Sequence, residues 1–125
     1  MLEFKKGKFH KYRLSEVPYS DFEADVAPMM TDQETVLSVY KAGRDGVVFT
    51  TKRLITIDHE NGRKTDVTSI PYDSIDLFSV ESAGWLDRDA ELDLQIKGVG
   101  KFCFEFDRAT SMANICKCIS VCKFD

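Results

Sequence analysis

The chain has 125 residues, of which 43% are hydrophobic and 30% are charged, the balance of an ordinary globular domain. This length predicts one domain with a core large enough to fold without disulfides or a structural metal. No apolar run approaches the roughly 18 residues needed to cross a bilayer, and the N-terminal lysines are not followed by the apolar segment of a signal peptide. We therefore expect a cytoplasmic protein.

The net charge of −4 is unevenly distributed along the chain. Residues 1–13 carry five basic groups and one acidic group, whereas residues 14–125 carry twelve basic and twenty acidic groups. An acidic body repels nucleic acid and anionic lipid, but the basic N-terminal segment, which also contains aromatic residues, could contact either. The simpler interpretation is a solvated terminus. We interpret residues 1–19 as a basic N-terminal extension and residues 20–125 as a single domain.

The first predicted element is a short helix. Ser20 is a suitable N-cap for a helix over residues 21–27, with acidic residues in its first turn. Pro28 then disturbs or ends the helix. Met29 and Met30 follow, and we expect both to fill space in the core.

Seven extended segments come next, each rich in β-branched, aromatic or alternating apolar residues. In chain order they cover residues 35–41, 47–50, 53–58, 64–70, 74–82, 91–97 and about 102–106. Asp45-Gly46 and Asn61-Gly62 are typical of tight hairpin turns, and Pro71 marks a strand edge or a break. The regular spacing of turn residues predicts an antiparallel meander.

The last predicted element is a helix over residues 110–122, with Asp107 or Thr110 as its cap. Its apolar side chains follow a 3.6-residue period, so that one helical face is hydrophobic. The last two strands each present a matching apolar face. We expect eight side chains to form one core between these strands and the helix: Leu92, Leu94, Ile96, Phe102, Phe104, Phe106, Ile115 and Ile119.

Three segments of the meander, in order along the chain, resemble one known family. They read RDGVVFTTKRLITID (residues 44–58), SIPYDSIDLFSVESAG (residues 69–84) and DRDAEL (residues 87–92). This pattern is similar to that of the bacterial pleckstrin-homology-like (PH-like) domains, and the similarity extends over residues 27–122. It implies a mainly β fold, a bent antiparallel seven-stranded sandwich or barrel with a C-terminal α-helix, to which we add the short N-terminal helix.

The resemblance also implies self-assembly, because members of this family are known mainly as ring-forming homo-oligomers. A pentameric ring is the favoured form, with a dimer or another ring size as alternatives, and a further protein partner remains unidentified. Opposite charges at strand edges can set the register between identical subunits. We expect the contact and protein-interaction surface to include Arg44, Asp45, Arg53, Glu81, Trp85, Asp87, Asp89 and Glu91. Arg53, whose guanidinium can bind a carboxylate through two bonds, is expected to pair across the interface with Asp87, Asp89 or Glu91.

Lipid binding is the main alternative function. The loop over residues 41–46 is short and charge-balanced, so we do not expect specific phosphoinositide binding there. The chain could instead be an anionic-lipid or membrane-associated adaptor that uses the basic N-terminal arm. We expect no binding of nucleic acid.

Catalytic and metal sites are not predicted. Asp87, Asp89, Glu91 and Asp93 could hold a hard cation or act as an acid/base pair, but a flat strand surface lacks a water-excluding cleft. Of the four cysteines, three lie in the C-terminal CKCISVC segment, whose spacing is not that of a zinc site. We interpret them as small hydrophobes. We therefore expect no enzyme activity, no cofactor and no metal requirement for folding.

Overall fold

The computed structural model describes residues 13–59, 64–81 and 89–124, and within these residues the chain is mainly β. The strands are β1 (Ser15–Glu16), β2 (Val36–Ala42), β3 (Asp45–Thr50), β4 (Arg53–Asp58), β5 (Asp66–Pro71), β6 (Ile75–Glu81), β7 (Asp89–Ile96) and β8 (Gly100–Asp107). The helices are α1 (Glu23–Val26) and α2 (Met112–Phe124), and 3-10 turns lie at Tyr19–Asp21, Ala27–Met29 and Tyr72–Ser74. The predicted fold class, with seven main strands and a C-terminal helix, is confirmed.

The strands form two antiparallel sheets, one with the order β1-β2-β3-β4-β5 and one with the order β6-β7-β8. Leu14 joins the two sheets along one side, because its N–H donates to the Glu105 carbonyl at 2.9 Å and its carbonyl accepts from the Asp107 N–H at 2.8 Å. On the other side, β5 and β6 are edge strands of different sheets. The architecture is therefore a sandwich joined along one side and open along the other.

The larger core lies between the two sheets and α2. It contains all eight side chains predicted for it, together with Leu14, Tyr40, Phe49, Leu54, Ile70, Tyr72, Ile75 and others. The prediction of one core joining the last strands to the helix is confirmed. The period-two and period-3.6 patterns were sufficient to identify these core residues, because the apolar faces of β7, β8 and α2 all point to the same interior.

A second, smaller core lies on the opposite face of the five-stranded sheet. Phe22 and Val26 of the α1 region pack there against residues of β2, β3 and β4. As a result, all six residues of β3 are buried. Covering on both faces explains why β3 has three consecutive apolar residues, Val47, Val48 and Phe49, rather than an alternating pattern.

Gly46 shows why one predicted turn is misplaced. Asp45-Gly46 was predicted to form the first hairpin turn, but both residues lie in β3, and the turn consists of Gly43, with a φ of 62°, and Arg44. A Cβ atom on Gly46 would lie 2.3 Å from the Phe22 ring. Gly46 is therefore needed for the close approach of Phe22 and not for a positive φ angle.

The predicted boundary after residue 19 falls inside the fold. Leu14 is 1% exposed in the larger core, and β1 pairs with Lys41 and Tyr40 of β2. The sequence did not reveal β1, because the period-two pattern of a two-residue strand is too short to recognise. The strand also closely follows the basic residues 1–13, which drew the whole segment into the predicted extension.

The N-terminal helix is shorter than predicted. α1 begins after Phe22 and ends at Val26, and none of the described side chains caps it, so Ser20 does not act as the N-cap. Met29 is 48% exposed and does not fill the core, whereas Met30 packs against the smaller core.

The cap of α2 also differs from the prediction. The Ser111 Oγ accepts a hydrogen bond from the Asn114 N–H at 3.3 Å and therefore caps the helix. Asp107 stabilises the preceding turn instead, since its Oδ1 accepts from the Ala109 N–H and the Thr110 hydroxyl. Burial alone would raise the pKa of Asp107, but these bonds and one from Ser15 hold that pKa below its ordinary value.

Candidate functional site

The edge of β6 is the most exposed apolar part of the described chain. Ile75 is buried, and Phe78 and Val80 pack against the larger core, so Leu77 points away from the interior. Leu77 is 69% exposed, the highest value among the large hydrophobic side chains of the described residues. An edge strand with an outward-facing leucine is a template for pairing with another chain.

The outer face of the three-stranded sheet carries a row of acidic side chains. Glu91 of β7 lies directly opposite Glu81 of β6 on one side and Glu105 of β8 on the other. Like charges directly opposite each other on neighbouring strands destabilise a sheet. Glu81 and Glu91, both predicted as interaction residues, thus lie together on one face.

The next row of the same face places Asp93 of β7 opposite Cys103 of β8. Cys103 is 9% exposed although it is on the outer face. Burial, then a hydrogen bond to Asp93 and the nearby charges of Glu91 and Glu105, raise the pKa of its thiol to about 12. The sequence analysis missed this pairing, because residues ten positions apart become neighbours only through the β7–β8 register.

Arg53 has a different environment from the one predicted. Its Nε and one terminal nitrogen donate to the two carboxylate oxygens of Glu34 at 2.8 and 3.0 Å. Its terminal nitrogens also donate to the Ser69 hydroxyl at 2.7 Å and the Met29 carbonyl at 2.6 Å. The guanidinium is therefore engaged within its own chain, and its pairing across a subunit interface stays a prediction.

Glu34, which the sequence analysis did not single out, is the centre of this network. Its side chain is 1% exposed, and it also accepts from the Thr50 hydroxyl at 2.6 Å and the Thr31 N–H at 3.3 Å. Burial would raise the pKa of Glu34, but the bonds from Arg53, Thr50 and Thr31 lower it to about 2. This ion pair connects the loop before β2 to the start of β4.

The remaining predicted interaction residues are divided between the two sheets. Asp45 is 6% exposed, and its Oδ1 accepts from the His59 N–H at 2.7 Å, which ties the start of β3 to the end of β4. Arg44 is exposed in the β2–β3 turn. Asp89 is the first residue of β7, opposite Asp107. Trp85 and Asp87 lie outside the described residues, as does the predicted Asn61-Gly62 turn.

An open groove of about 500 Å³ lies between β2 and α2. Leu37, Ile115, Cys118 and Val121 are among its lining residues. Burial, and then the neighbouring Cys122, raise the pKa of the Cys118 thiol to about 11. A protonated thiol at neutral pH agrees with the interpretation of these helix cysteines as small hydrophobes.

Two antiparallel sheets joined along one side, with a C-terminal helix packed against the second sheet, define the PH-like class of domain. None of the helices in the described part of the chain is long and apolar enough to cross a membrane. The family model described as "Bacterial PH domain" matches residues 5–122. The chain therefore belongs to the bacterial PH domain family.

Two solved structures and one protein sequence illustrate what this chain is similar to. A DUF1696 family protein with a pleckstrin-homology domain from Shewanella loihica PV-4 is 36% identical, with a TM-score of 0.77 over 90% of this chain and 98% of that one. The pleckstrin homology domain from Shewanella amazonensis SB2B is 41% identical, with a TM-score of 0.65 over 87% and 90%. The uncharacterised protein YjqA of Bacillus subtilis strain 168 is 45% identical over 61% of this chain, a match that spans 62% of YjqA.

Proposed function

We propose that the chain is a non-enzymatic cytoplasmic PH-like domain that self-assembles into a ring-shaped homo-oligomer and presents a hydrophilic surface to a protein partner. The observation that carries this proposal is the β6 edge with its 69% exposed Leu77. Pairing with another chain would satisfy the backbone groups of this edge and would cover part of the exposed leucine.

The subunits of a ring are joined head to tail, so each subunit needs two different contact surfaces. Such a contact closes into a ring when the rotation between neighbouring subunits permits. The fold offers two different edges, β5 in one sheet and β6 in the other. Joining the β6 edge of one subunit to the β5 edge of the next would generate such a contact. The family resemblance favours a pentamer among the possible rings.

The acidic outer face of the three-stranded sheet supports the proposed interaction with a protein partner. Glu81, Glu91 and Glu105 lie side by side across three strands, and together they place negative charge on one face of the sheet. A concentrated negative potential attracts positively charged partners to a surface and repels negatively charged ones. A protein partner with a basic patch fits this face.

Substitution at the β6 edge tests the proposed assembly. Leu77→Lys should reduce the oligomer to a folded monomer, because it places a charge on the exposed side of the edge strand. Val99→Lys is the matched control, since Val99 is also exposed, at 51%, but lies in the β7–β8 turn. Light scattering after gel filtration measures the mass of each variant. An oligomer that survives Leu77→Lys would contradict a contact at this edge.

A further inference from the structure

We draw no further inference here: the strongest candidate, the open groove between β2 and α2 that is lined by the exposed side chains of Leu37 and Val121, carries none, because nothing in the described part of the chain shows what covers it.

Discussion

The Glu34–Arg53 ion pair gives the most quantitative prediction. Replacing Glu34 by Gln removes the charge but keeps the shape of the side chain. Hydrogen bonds from Arg53, Thr50 and Thr31 lower the pKa of Glu34 from 4.5 to about 2 against the opposing effect of burial. Since each pKa unit corresponds to about 1.4 kcal/mol, the ionised side chain contributes roughly 3 kcal/mol to the free energy of unfolding at neutral pH.

The sign of the pH dependence follows from the direction of this shift. A carboxylate with a lowered pKa in the folded state stabilises the protein above its unfolded pKa, near 4.5, and this contribution is lost as the pH falls toward 2. Urea unfolding at pH 7 should therefore show Glu34→Gln to be roughly 3 kcal/mol less stable than the wild type. The difference should shrink steadily below pH 4.5.

A matched control is available in the same loop. Asp32 is exposed, and Asp32→Asn should change the free energy of unfolding by less than about 0.5 kcal/mol. A cost below about 1 kcal/mol for Glu34→Gln at pH 7, or a cost that does not vary with pH, would refute the reasoning.

Two further predictions concern packing. Phe104→Ala should lower the free energy of unfolding by about 3–5 kcal/mol, because Phe104 is 0% exposed at the centre of the larger core; a loss under about 1 kcal/mol in urea unfolding would mean that this core is not rigid. Gly46→Ala should lower the melting temperature, because the added Cβ would lie 2.3 Å from the Phe22 ring. Combining it with Phe22→Ala should remove most of the extra cost, and additive losses would show that the clash is not the cause.

Local sequence patterns predicted the main elements well. The alternation of Phe102, Phe104 and Phe106 and the stripe of Ile115 and Ile119 identified β8, α2 and their shared core, because burial acts on one face of each element. The resemblance to bacterial PH-like domains then supplied the arrangement of these elements in space, which periodicity does not contain.

The candidate sites could be predicted only in part, because their contacts are not local. Arg53 and Glu34 are 19 positions apart, and they meet because the β2–β3 pairing places Val36 opposite Thr50 and Arg53 begins the next strand. Asp93 and Cys103 meet through strand register, and a shift of one residue would place them on opposite faces. Gly46 was assigned to a turn because glycine satisfies both a positive φ and a close approach, and the sequence does not distinguish the two.

The assembly state of the wild-type chain tests the central claim most directly. Sedimentation velocity at tens of micromolar protein and physiological salt measures whether the 14.2-kDa chain self-associates without any substitution. We predict one discrete oligomer with the mass of a closed ring, a pentamer in the first instance, which dissociates to the monomer on dilution. A single monomeric species over the whole concentration range would contradict the proposed function.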